Sequence, residues 1–260
     1  MAACGSLEEI LRAEFRPGVR ARKFRIAGRG CGKVDFEGKE IGDCNAEAAH
    51  VCSGILTMHA VVSPPDHEQL FAIAESQDGY FTMVQARDAG FARSTHSYHV
   101  KAGNWLREHR GIYRLKRFPA TETGYLALWS LWSRDQQGRI QGVYSHTTAL
   151  ALRDLSDANP AKIHMTVPPA FRRNSATPPV LVLHKAKLQP HEIIRERGYA
   201  VTTPMRAILD SATSGDADPG ILRQALSEGR RRGLITGAEI KQAKSLAGLP
   251  PWLAEILEEV

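Results

Sequence analysis

The chain has 260 residues, 43% of them hydrophobic, enough to build packed cores in one large domain or two small ones. Its 34 Lys and Arg against 28 Asp and Glu leave a formal charge of +6, which suits a polyanionic partner. No run approaches the roughly 18 apolar residues of a membrane span, and the start MAACGSLEEILRAEF lacks the basic-then-apolar order of a secretory leader. A cytoplasmic location with no membrane partner is therefore expected.

Residues 1–57 hold all four cysteines, Cys4, Cys31, Cys44 and Cys52, and the glycine-rich run RIAGRGCGKVDFEGKEIG, with no sustained helical or strand period. Cys31, Cys44, His50 and Cys52 lack the C-x-x-C spacing of a zinc knuckle. In GRGCGK, Val34 stands where a phosphate loop needs Ser or Thr. This stretch is read as a disordered extension, or as translated upstream sequence ahead of a true start at Met58.

From His67 the texture changes. Leu70, Phe71, Ala74, Tyr80 and Phe81 follow helical spacing up to and around the Asp78-Gly79 break. Thr82 is placed to cap a second short helix with Val84, Ala86 and Ala89 on its apolar face and Gly90 at its end. A third helix is expected from Arg93 or Ser94 to Ala102, followed by a basic turn and the alternating strand IYRLKRF, closed by Pro119. The stretch from Arg87 to Arg117 carries eight basic residues against Asp88 and Glu108 alone.

Three short helices followed by a basic β segment predict a winged helix-turn-helix, whose third helix enters the DNA major groove. With Val100 facing the core, His96 and His99 share its face. Arg93, Ser94, Thr95, Ser97, Tyr98 and Lys101 are left outward to meet phosphates and base edges. Arg110, Arg114, Lys116 and Arg117 of the expected wing complete the candidate DNA-binding set. The competing readings are a metal pair for His96 and His99 and a merely solvated edge strand for the wing.

Beyond Pro119 the sequence predicts helices in GYLALWSLWS and SHTTALALRDL, the latter capped by Ser145, and strands in KIHMTVPP and PVLVLHKAKL. Three further helices are expected, opened by Thr203-Pro204, Asp218-Pro219 and the Thr236/Glu239 capping box. Catalytic groupings are sparse. Ser145, His146 and Asp154 are the residue types of a hydrolase triad without its glycine elbow, and Glu239-Ile240-Lys241 has the look of a nuclease motif tail. Arg230, Arg231 and Arg232 sit at an expected helix C-terminus, where positive charge is favourable for local reasons. No enzyme activity, cofactor or metal is expected. The fold class predicted is α+β: residues 1–57 an extension, 58–118 a winged helix-turn-helix, and 119–260 a mixed α+β domain.

The order of GYFTMVQARDAG, a short basic helix, RGIYRLKRFP, GVYSHTTALALRDL and GYAVTTPMRAILD resembles the AbiEi family of type IV toxin-antitoxin antitoxins, over roughly Asp66 to Ala247. The resemblance implies a winged-helix domain that represses the protein's own operon by binding promoter repeats. It also implies a C-terminal domain that counteracts a nucleotidyltransferase-like toxin. The family's DNA-contacting helix falls on Arg93 to Lys101 and its wing on Arg110 to Arg117, while TTPMRAILD sets Arg206 and Asp210 four apart on one helix, where an ion pair is equally expected. Against this stand two other classes: a DNA-directed nuclease using Asp210 or Glu239, and a pure protein-interaction module.

Overall fold

The computed structural model describes residues 64–246 and 248–259, so the readings made for residues 1–57 lie outside the described residues. The first helix, α1 (His67–Glu75), starts where the Asp66 carboxylate accepts the Gln69 amide at 2.8 Å, and it buries Leu70 and Ala74. Tyr80 and Phe81 are not part of it, contrary to their helical spacing. Asp78 and Gly79 both adopt positive φ and turn the chain, so Tyr80–Thr82 forms strand β1. Phe81 then pairs with Tyr113 across an antiparallel ladder and is fully buried.

Thr82 caps α2 (Met83–Asp88) in a complete capping box with Gln85. Ala86 and Ala89 are buried, but Val84, expected beside them, is exposed. A 3₁₀ turn (Arg93–Thr95) runs into α3 (His96–Lys101). The next segment is a hairpin of β2 (Trp105–His109) and β3 (Ile112–Leu115), one strand more than the sequence predicts. The first strand is hard to read because a register irregularity between Arg107 and His109 breaks its alternation. The three strands form one sheet in the order β1-β3-β2.

The rest of the chain is built on a five-stranded mixed sheet, β6-β5-β4-β8-β7. Its strands are β4 (Val143–Tyr144), β5 (Ile163–Val167), β6 (Leu181–Lys185), β7 (Ile193–Glu196) and β8 (Tyr199–Thr202). The β5–β6 and β4–β8 pairs are parallel, the other two antiparallel. Helices α4 (Gly124–Trp132), α5 (His146–Leu152), α6 (Pro204–Ser214), α7 (Pro219–Arg231), α8 (Gly237–Lys244) and α9 (Pro251–Glu259) accompany it. Expected caps hold at Asp218 and at Thr236 with Glu239, whereas Ser145 and Thr203 make no capping hydrogen bond through their side chains. β4, β7, β8 and α9 go beyond the sequence reading.

Buried side chains fall into two clusters. The smaller joins Leu70, Ala74, Phe81, Ala86, Ala89, Phe91, Trp105 and Tyr113. The larger centres on Leu126, Trp132, Leu150, Met165, Ile208 and Leu226, and it also takes in Tyr80 and Ile112 from the three-stranded sheet. The chain is mixed α+β, and no helix among the described residues is long and apolar enough to cross a membrane.

Candidate nucleic-acid interface

The short helix α3 is oriented by its inward side chains. His96 is buried; its Nε2 donates to the Phe91 carbonyl at 3.0 Å, and its ring meets Trp105 edge-on. His99 stacks on Trp105 at 4.5 Å between ring centroids. Both histidines are thus accounted for by packing, as the i, i+3 spacing beside Val100 predicts. Ser97, Tyr98 and Lys101 lie outward on α3 and Arg93, Ser94 and Thr95 on the 3₁₀ turn before it, where the expected helix start proves to be tighter; all six are exposed. Tyr98 is 66% exposed, the most accessible large hydrophobic side chain among the described residues. Thr95 differs from its neighbours, since its hydroxyl already donates to the Ala92 carbonyl at 2.7 Å.

Trp105 is the hinge point between helix and hairpin. It belongs to β2 while packing against Phe81, Phe91, His96, His99 and Tyr113. The hairpin turns at Arg110-Gly111, where Gly111 has φ 71°, a conformation that an L side chain adopts only with strain. Arg134, following α4, donates to the Gly111 carbonyl, and His109 lies edge-on to Trp129 of α4 at 6.0 Å. Burial, with the positive charge of Arg173, holds the imidazole of His109, beside the hairpin turn, below its ordinary value.

The four hairpin candidates differ in availability. Arg110, Lys116 and Arg117 are exposed and, among the described residues, pair with no carboxylate. Arg114 is engaged: its Nε donates to Glu108 at 3.3 Å and its Nη1 to the Phe118 carbonyl at 3.2 Å, with the side chain only 16% exposed. Arg107 on β2 is a basic residue that the sequence reading missed. It is exposed, and its signal was hidden by the unrecognised strand.

The catalytic alternatives find structural uses instead. Asp210 accepts from Arg206 Nε at 2.8 Å, and Arg206 Nη1 donates to Glu192 at 2.8 Å. Glu239 accepts the Thr236 amide and hydroxyl in its capping box. Ser145 and His146 are adjacent at 2.8 Å, but Asp154 is exposed beyond the far end of α5.

Residues 68–116 match the model of a family described as transcriptional regulator, AbiEi antitoxin. This segment carries the AbiEi antitoxin-regulator pattern. The AbiEi match runs from α1 to the end of the hairpin, taking in the exposed helix face and all the hairpin candidates but Arg117. No curated protein matches the chain. Among solved structures, the RV2827C protein from Mycobacterium tuberculosis is similar at 15% identity and a TM-score of 0.41, covering 73% of this chain and 79% of that one.

Proposed function

We propose that the protein is a DNA-binding transcriptional repressor that autoregulates its operon and acts as the antitoxin of a type IV toxin-antitoxin system, counteracting a nucleotidyltransferase-like toxin. In this reading residues 58–118 are a winged helix-turn-helix, α2 and α3 its helix pair and the β2–β3 hairpin its wing; residues 119–260 are the antitoxin-type domain, and residues 1–57 an extension. The observation that carries the reading is the two-sidedness of α3. Its histidines are consumed by packing on Trp105, while Ser97, Tyr98 and Lys101 face outward, as does Arg93 on the 3₁₀ turn before it, neither cation having an ion-pair partner among the described residues. Element order supports it as well, with helix, strand, two helices and a closing hairpin inside the AbiEi-matching segment.

Docking is electrostatic first. Arg93, Lys101, Arg110, Lys116 and Arg117, with Arg107, neutralise phosphates and release counterions, while Ser94, Thr95, Ser97 and Tyr98 approach base edges and sugar-phosphate oxygens. Arg114 holds the hairpin in shape and supports the contact from behind. The partner is double-stranded DNA carrying the promoter repeats. Titration of a promoter fragment with the full chain at several salt concentrations tests this: affinity that falls linearly in log–log form supports it, and binding that ignores salt counts against it.

A further inference from the structure

A second group of polar side chains gathers on the five-stranded sheet, away from the exposed helix. His164 lies on β5 and His184 on β6; the parallel register sets Thr166 opposite His184, and Thr166 shares the face of His164 by the two-residue repeat. His146 enters this face from the first position of α5, with φ 55°, an uncommon backbone conformation for a residue with a Cβ. Asp216 arrives from the turn after α6. One nitrogen from each of the three rings lies within 4.8 Å of the others. His164 Nδ1 is 3.1 Å from His184 Nε2 and 3.3 Å from Asp216 Oδ2, and His184 Nε2 is 3.8 Å from the same carboxylate oxygen.

Hydrogen bonds alone serve this arrangement poorly. A single proton between His164 Nδ1 and His184 Nε2 satisfies one contact, and the remaining lone pairs still converge on one another. We propose that His146, His164, His184 and Asp216 form a four-ligand site for a divalent transition metal, with Zn²⁺ the ion that three imidazoles and one carboxylate suit best. Ligands about 2.0–2.1 Å from a tetrahedral ion stand about 3.3 Å apart, close to the three separations among His164, His184 and Asp216, whereas His146 stacks on His184 at 3.6 Å between ring centroids and turns toward the ion on binding.

The surroundings are those of a metal site. His146 Nδ1 is held by Ser145 Oγ at 2.8 Å, and Thr166 Oγ1 donates to that same oxygen at 2.7 Å. This hydrogen-bond chain occupies His146 Nδ1 and leaves Nε2 to serve as the ligand atom, the role that outer partners of metal-bound imidazoles play. The neighbouring cation Arg206 is already neutralised by Glu192 and Asp210. His164 and Asp216 also line a surface cleft with Lys162 and Asn159, which gives an ion a way in. A bound ion ties α5, β5, β6 and the α6–α7 turn together, so its role is to clamp the larger domain independently of the DNA reading.

The test uses the full chain, free of any affinity tag, stripped with EDTA and titrated with Zn²⁺ by calorimetry, with thermal unfolding followed in parallel and Co²⁺ as the spectroscopic probe. The expected result is one Zn²⁺ bound at this site, a higher Tm, and visible Co²⁺ bands of a tetrahedral N/O site without thiolate charge transfer. His184→Ala abolishes that uptake. Because this variant risks misfolding, Asp216→Asn serves beside it, removing the carboxylate ligand with little change of shape and weakening binding about 10-fold or more while the metal-free protein keeps its Tm. Absence of uptake by the folded wild type overturns the proposal, as does uptake unchanged in His184→Ala and Asp216→Asn. A thiolate signature that persists in His184→Ala places the ion on the cysteines and overturns it equally.

Discussion

Basic side chains on the same hairpin do different work. Arg114 is tied to Glu108 and the Phe118 carbonyl, whereas Arg110 projects from the turn with no carboxylate partner among the described residues. Arg114→Ala is expected to lower stability by about 1 kcal/mol, as loss of a half-buried charged hydrogen bond does, and to leave the salt slope of DNA binding unchanged. Arg110→Ala is expected to do the reverse: an unchanged Tm and a slope flatter by about one unit. Sequence alone ranked the two equally, because partner and exposure depend on the hairpin register, and the register irregularity at Glu108 has no sequence signature.

The Glu192–Arg206–Asp210 group makes a different prediction. Burial works to raise Glu192, but the Gln189 amide and the Arg206 guanidinium win and hold it below the usual carboxylate range. Stability from this group is therefore present above the unfolded value near 4.5 and lost as pH falls through the lower folded value. Asp210 goes the other way, because burial outweighs its pairing with Arg206 and raises it, so its protonation partly offsets the loss. Glu192→Gln should flatten the acid limb of a Tm-against-pH curve. Arg206→Ala, which strands the Asp210 carboxylate, should cost about 2–3 kcal/mol in denaturant unfolding.

At the scale of elements, caps and turns were the most legible features. Thr82 caps α2 and Thr236 with Glu239 closes its capping box, as the sequence predicts, and the structure adds Gln85 as the second half of the Thr82 box. Thr82→Ala should accordingly cost about 1 kcal/mol. Strands were read less well. Val143–Tyr144 is only two residues long, and Ile193–Glu196 and Tyr199–Thr202 are short strands that pair with each other across the turn at Gly198, too short for either period to register. The three histidines on the larger sheet were invisible for a related reason: the α5 and β6 positions approach only through tertiary folding, and no ligand spacing announces them. The α3–hairpin junction rests on Trp105. Trp105→Ala is expected to destabilise the smaller cluster by about 3–5 kcal/mol and to release His99 from its stack. Loss of the near-ultraviolet dichroism of Trp105, with DNA binding reduced far more than by any single surface lysine, is the expected readout.

Across the whole molecule, the two buried clusters meet at Tyr80 and Ile112, which lie on the three-stranded sheet but pack with Leu126 and Leu131. Arg197, in the turn between β7 and β8, also donates to the Glu75 carbonyl at the end of α1, at 2.9 Å through its Nε. The proposed DNA-binding module is thus braced by the rest of the chain. The sequence placed the boundary near Pro119 from the strand pattern that this proline closes, and burial of Ile112 in the larger cluster was beyond its reach. A fragment of residues 58–118 is expected to unfold at a lower temperature than the same elements in the full chain, because it exposes Ile112.

The most direct test of the central claim is the salt dependence of binding to the promoter repeats for the wild type and for Lys101→Ala. Log affinity is expected to fall linearly with log salt, with a Lys101→Ala slope flatter by about one unit and an unchanged Tm. Equal slopes for the two proteins, or wild-type binding independent of salt, would contradict it.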